Sequence, residues 1–147
     1  MSCFCEIEIE HDGAPTFYSE SDPVARKPHK CCECRRTIQP GERYERVSGL
    51  WDGDFEEFKT CYDCVSMRSA LFCTYCFGSL WSDLADDLAE HDGQINFSCL
   101  PGMTPAARAR VIEMVEQAWS DQCRDGSPGA CAACPWADNC ENREDVP

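Results

Sequence analysis

Two short stretches decide how this chain reads: Cys31-Cys32-Glu33-Cys34 and Cys61-Tyr62-Asp63-Cys64. Each carries the Cys-x2-Cys step that lets two thiolates reach one metal ion. Between them, Gly41 starts an extended segment over 42–50, Asp52-Gly53 supplies a turn, and 55–60 reads as the returning strand of a hairpin. Cys61 then opens a helical stretch running to Phe72. One pair therefore sits on a tight knuckle whose amides can donate to sulfur. The other sits in a first helical turn, whose positive end also favours thiolates. Four thiolates around one divalent ion make a closed tetrahedral site, and the binding free energy of such a site is part of the folding free energy. Cys31 with Cys34 has the two-residue gap and Cys32 with Cys34 does not, so Cys31 is read as ligand and Cys32 as packing; ligation through Cys32 is the alternative.

The surrounding composition agrees with a chain held by staples. At 147 residues it can form one compact domain or two very small ones, and its hydrophobic fraction of 43% counts fourteen cysteines. The stretch Met1-Ser2-Cys3-Phe4-Cys5-Glu6 has neither a basic region nor a long apolar run, and no stretch approaches a membrane span. The expectation is a soluble, cytoplasmic protein with no membrane contact. In such a reducing compartment, cysteine pairs at ligand spacing favour metal over disulfides. A secreted disulfide scaffold is the competing reading.

Outward from the hairpin, the N-terminal residues 3–10 alternate, with Cys3, Cys5, Ile7 and Ile9 on one face, as in a half-buried strand. Alternate residues of a flat strand lie about 6–7 Å apart, so Cys3 and Cys5 can share a metal only at a bulge. Residues 11–30, with Pro15, Pro23 and Pro28, read as an irregular arm. A helix is expected over 79–90, where Leu80, Leu84 and Leu88 lie opposite Asp83, Asp86, Asp87 and Glu90. Another starts at Thr104-Pro105, an N-cap followed by a first-turn proline, and runs to about Gln122. The chain is divided as 1–78, holding strand, arm and first cysteine site, and 79–147, holding helices and a second cysteine cluster; one compact domain is the alternative. The final residues, 141–147, read as a loose acidic tail.

The second cluster is Cys123 with Cys131, Cys134 and Cys140. Zinc accepts that set as four thiolates. Its Cys-x2-Cys-Pro-x4-Cys loop also resembles the three-cysteine loop of some iron-sulfur proteins, including certain cluster-bearing nucleases and actinobacterial regulators, so an iron-sulfur cluster is the alternative. Cys73-x2-Cys76 is a half-site needing partners from Cys3, Cys5 or Cys99, or else simply core.

The knuckle, hairpin and helix resemble the treble-clef class of zinc finger. The stretch Ala25-Arg26-Lys27-Pro28-His29-Lys30-Cys31-Cys32-Glu33-Cys34 resembles a group of small bacteriophage and prophage proteins. The likeness continues through residues 41–49, 51–53 and 58–61 to Gly78-Ser79-Leu80-Trp81-Ser82-Asp83. It covers roughly residues 24–90 and implies a phage origin and a zinc knuckle, with no reaction attached. The fold expected is small α+β, a metal-stabilised treble clef with additional helices and a C-terminal cysteine cluster.

Function must then lie on charged surfaces. Only His11, His29 and His91 are present, none in a His-x-Glu or His-x3-His setting, and the zinc-deaminase pattern is absent. An enzyme is not expected. The net charge of −14 argues against general coating of nucleic acid. Its distribution is uneven: within 24–46, Arg26, Lys27, Lys30, Arg35, Arg36, Arg43 and Arg46 face only Glu33, Glu42 and Glu45. The acidic helices suit a basic surface on a host protein or protein–nucleic acid complex, by imitation of phosphates, as in an anti-CRISPR-type inhibitor. The alternative is a zinc-finger regulator that binds nucleic acid through the basic patch, with Tyr44 or Trp51 stacking. The patch could equally pair with the acidic helices, within one chain or across a homo-oligomer, and acidic helix faces are commonly plain solvated surface. A small virion or assembly factor is a third reading.

Overall fold

A computed structural model describes residues 7–8 and 15–124 of the chain, with no statement attached to the side chains of 122–124. Five strands and three helices follow one another: β1 Phe17–Ser21, β2 His29–Lys30, β3 Thr37–Ile38, β4 Tyr44–Trp51, β5 Asp54–Cys61, α1 Tyr62–Leu71, α2 Leu80–Glu90 and α3 Pro105–Arg124, with a 3-10 turn at Phe97–Gly102 before α3. The architecture is α+β. An antiparallel three-stranded sheet is ordered β1-β4-β5, and β2 pairs with β3 in a separate two-stranded ribbon.

The β4–β5 hairpin forms where the turn residues direct it. Trp51 pairs with Asp54 across Asp52 and Gly53, whose φ values of 49° and 86° are the two positive angles of a type I′ turn. The irregular arm expected over 11–30 is corrected in part. Residues 17–21 pair with β4 from Phe17↔Leu50 to Ser21↔Arg46, because the seven residues between Pro15 and Pro23 are free of proline and can offer every amide they need. The expected strand at 3–10 lies mostly outside the described residues; Ile7 is buried and bridges to Phe72.

Pairing register divides the sheet into two unlike faces. On one face, Val47, Phe58 and Trp51 lie under Phe77, which stacks on Phe58 with ring centroids 4.3 Å apart. Gly49 shares this face, and a side chain there would meet the Trp51 ring at 2.5 Å. The other face carries Phe17, Leu50, Phe55, Arg46 and Lys59, and Phe17 and Phe55 are exposed.

The helices bury the periodic stripes that their sequences present. Leu80, Leu84 and Leu88 of α2 and Val111, Val115 and Trp119 of α3 join Met67 and Leu71 of α1, so buried residues from both sides of Gly78 share one cluster. Thr104 caps α3 by accepting from the Ala107 amide at 3.3 Å, and its hydroxyl donates to Asp63 Oδ1 at 2.6 Å in the first turn of α1. Ser66 Oγ accepts from the Thr104 amide at 3.0 Å. The starts of α1 and α3 are thereby tied together.

Arg68, a basic residue inside α1, is resolved by tertiary pairing. Its Nη2 donates to Glu45 Oε2 of β4 at 2.5 Å with both side chains almost fully enclosed, 7% and 5% exposed. The guanidinium carbon lies 4.2 Å from the Tyr75 ring centroid, a cation–π contact. Glu45 Oε1 and Arg68 Nη1 lack hydrogen-bond partners among the described residues, so the pair is held mainly by one strong bond. Removing one partner strands the other charge in the interior. Glu45→Ala is therefore expected to destabilise by about 3–5 kcal/mol in urea unfolding, whereas Glu45→Leu combined with Arg68→Met recovers most of that loss. A midpoint unmoved by Glu45→Ala would show that the charge of Arg68 is solvated.

Candidate metal centre

The knuckle places Cys31 at the end of β2 and Cys34 before β3. Its reversal is closed by the Cys31 amide donating to the Arg36 carbonyl at 2.9 Å and the Arg35 amide donating to the Cys31 carbonyl at 3.1 Å, with Arg35 in the left-handed region at φ 63°. The Cys32 amide donates to the Lys59 carbonyl at 2.8 Å, docking the knuckle on β5. Cys61 ends β5, and Cys64 lies in the first turn of α1.

These constraints bring the sulfurs of Cys31, Cys34, Cys61 and Cys64 within 4.8 Å of one another. The Cys31–Cys64 and Cys34–Cys61 pairs are each 3.8 Å apart. Four sulfurs arranged tetrahedrally at about 2.3 Å from an ion would be spaced by about 3.8 Å, so the set fits one tetrahedral metal ion. Hydrogen bonds orient it. The Cys61 amide donates to Cys31 Sγ at 3.4 Å, and the Trp81 indole N–H donates to Cys64 Sγ at 3.2 Å. Hydrogen bonding among the clustered sulfurs, with Cys61 and Cys64, holds the Cys31 thiol far below its ordinary value, and the contact with Cys31 pushes Cys61 up to about 12. A divalent cation relieves that competition by displacing the protons.

Cys32 stays outside the cluster. Its sulfur lies 3.4 Å from Thr60 Oγ1, and burial, reinforced by the Glu33 charge, pushes its thiol up to about 11 despite the Thr60 contact.

Two residues around the centre went unread in the sequence. Glu33 is buried, and its carboxylate accepts from the Gly78 amide at 2.9 Å and the Leu80 amide at 3.0 Å, so the knuckle supplies the cap for α2 that Ser79 does not. Trp81 links α2 to Cys64 while the guanidinium carbon of Arg110 sits 3.8 Å from its ring centroid. Neither has a local signal, since each contact spans 17 or more residues. A cleft of about 200 Å³ borders the centre, lined by Cys34, Arg36, Asp63, Trp81 and Arg110 among others.

The other cysteines divide differently from the sequence expectation. Cys73 and Cys99 are disulfide-bonded, against the expectation of metal over disulfides in a reducing compartment, and Cys76 carries a free thiol, so of the two readings of Cys73-x2-Cys76 the metal half-site is the one that loses a thiolate. A sulfur committed to an S–S bond has no thiolate charge to offer a cation. Cys131, Cys134 and Cys140 lie outside the described residues, as does the side chain of Cys123.

The basic residues are partly spoken for. Arg36 pairs with Glu42 at 3.0 Å and with Asp63 at 3.6 Å, and Arg46 pairs with Glu57 at 2.6 Å. Lys30 donates to Thr37 Oγ1 at 2.7 Å and Arg43 to the Asp22 carbonyl at 3.4 Å. Arg26 and Lys27 line an open groove of about 810 Å³ with Pro23, Val24, His29 and Tyr44. Tyr44 is buried against His29, with ring centroids 5.2 Å apart, and Trp51 packs on Phe58 and Phe77, so neither is presented for stacking. No helix among the described residues is long and apolar enough to cross a membrane.

No protein family, curated protein or solved structure matches the chain.

Cys31→Ser or Cys64→Ser is expected to abolish metal uptake at this centre, measured by elemental mass spectrometry, while Cys32→Ser retains it. Equal metal loss in all three would move Cys32 into the ligand set. Trp81→Phe removes the N–H donor to Cys64 and should weaken metal affinity about 10- to 100-fold against a chromophoric chelator. Acidification protonates the thiolates, so metal is lost as pH falls and the fold should loosen with it.

Proposed function

We propose that the chain is a phage-encoded, zinc-stabilised binding protein of the host cytoplasm with no catalysis of its own. The observation that carries this reading is the four-sulfur cluster at tetrahedral spacing. Four protein thiolates fill the coordination sphere, so the ion has no open position for water or substrate and acts as a structural staple. A tetrahedral all-sulfur set suits zinc best, with iron the competitor. The order of knuckle, β4–β5 hairpin and α1, with one cysteine pair in the knuckle and the other at the helix start, supports the treble-clef description. A second ion at Cys123, Cys131, Cys134 and Cys140, zinc or an iron-sulfur cluster, belongs to the same proposal. Metal and sulfide analysis of protein purified without oxygen tests it, and a single equivalent of metal per chain would refute that second site.

Binding is assigned to the acidic faces of α2 and α3. Asp86 and Glu90 on α2 and Glu113, Glu116 and Asp121 on α3 are exposed, and the helices bury their opposite stripes in the core. Rigid helices presenting carboxylates to solvent offer a field like that of nucleic-acid phosphates, which suits a basic groove on a host defence complex, as in an anti-CRISPR-type inhibitor. Affinity purification from the host, read by mass spectrometry, should enrich one defence or transcription complex. The variant Asp86→Lys, Glu90→Lys, Glu113→Lys, Glu116→Lys should lose that complex while keeping its metal. Enrichment of nothing, or capture unchanged by the four substitutions, would sink the assignment.

A further inference from the structure

The uncovered face of the three-stranded sheet has a composition that the acidic helices do not explain. Register places Phe17, Leu50 and Phe55 in one row across β1, β4 and β5. Phe17 is 54% exposed and Phe55 66% exposed, both well beyond what a sheet face packed on a core would allow. With adjacent strands about 4.8 Å apart, the two rings flank Leu50 at about 10 Å from each other. The next rows hold Ser19, Ser48 and Glu57, then Ser21, Arg46 and Lys59. The serines of β1 and β4 keep that part of the face low, between an aromatic row and a cationic row about 13 Å along the strand, with Glu57 beside them on β5.

Beyond the cationic row the same face runs into the groove at Tyr44 and His29, where Arg26 and Lys27 add two more positive charges. Partial burial and the nearby charges of Lys59 and Lys27 hold His29 below its ordinary pKa, which locates those cations around one ring. Glu57 is the one carboxylate of β5 on this face, and it pairs with both Arg46 and Lys59. Four cations against one carboxylate make this strip positive in a chain of net charge −14. Exposed aromatic rings beside a line of cations, on an open sheet, match what a single-stranded nucleic acid presents: base faces on one side and phosphates on the other.

We propose that this sheet face is a binding platform for single-stranded nucleic acid, with Phe17 and Phe55 stacking bases and Arg46, Lys59, Arg26 and Lys27 following the phosphates. The platform is independent of the acidic helices and of any partner they hold. It also differs from a simple basic patch around the knuckle, because Tyr44 and Trp51 are packed away and the rings offered for stacking are Phe17 and Phe55. Duplex is disfavoured, since its bases are not available to the two rings.

The test is fluorescence anisotropy of the full chain with labelled oligothymidylate and oligouridylate of about 12 nucleotides, a length within the usual range for such platforms. Affinity should fall with salt along a log–log slope of about −3, as expected for four phosphate contacts on a single strand. Phe17→Ala with Phe55→Ala should weaken binding about tenfold or more for each ring and leave the slope unchanged. Arg26→Glu with Lys27→Glu should weaken binding and flatten the slope by about 1.4. All four residues are on the surface, and an unchanged metal content and melting temperature would show that these variants fold. Binding of either oligonucleotide with this pattern supports the platform. No binding at low salt, or undiminished affinity in the phenylalanine variant, overturns it. Loss of a captured host protein in that variant, without any oligonucleotide binding, assigns the face to a protein partner and also overturns it.

Discussion

Four sulfurs held within 4.8 Å of one another, two of the pairs at 3.8 Å, set the terms for everything else in the described structure. Two thiolates at that distance repel by about 4 kcal/mol at an effective dielectric of 20, so the cluster is favourable only around a cation. The polypeptide does the convergence in three steps: a left-handed knuckle, a type I′ hairpin that returns the chain, and a helix whose first turn presents the last sulfur. Each step is local. An ion held by all four sulfurs would join them and stand in for a larger apolar core.

The helices are fastened to that centre by polar contacts as much as by packing. Glu33 lies between two of the ligands in sequence and caps α2 in space. Trp81, one residue into α2, reaches Cys64, and Thr104 at the start of α3 reaches Asp63 beside it. Loss of metal would therefore loosen three helix starts together, which makes the whole described fold one linked unit. The buried Arg68–Glu45 pair adds a second lock between α1 and β4, of the kind that constrains geometry more than it adds net stability.

Charge is sorted by element. The outward face of α2 is acidic, α3 carries Glu113, Glu116 and Asp121 beyond Arg108 and Arg110, and the open sheet face with its adjoining groove is cationic and aromatic. The sheet's covered side explains the asymmetry: once Phe77 packs over Phe58 and Trp51, the alternation of the strands sends Phe17, Leu50 and Phe55 to the other face.

Much of this was legible in residue order because it depends on near neighbours. Cysteine spacing, the Asp52-Gly53 turn, the Thr104-Pro105 start and the apolar stripes of α2 and α3 are short-range signals, and each reappears as an element with its boundaries nearly unchanged. The spacing argument that separated Cys31 from Cys32 also agrees with the geometry, for the knuckle turns Cys32 toward Thr60. β1 was hidden because a five-residue strand between prolines looks like a loop until β4 offers it a partner. The cap from Glu33, the indole on Cys64, the pairing of Arg68, the disulfide commitment of Cys73 and Cys99 and the open aromatic row all needed the tertiary structure. The sequence by itself determined which segments become knuckle, hairpin and helix, since backbone preference acts over a few residues. Only the folded structure decided which charges are neutralised and which faces remain open, since those outcomes turn on side chains that meet across long stretches of chain.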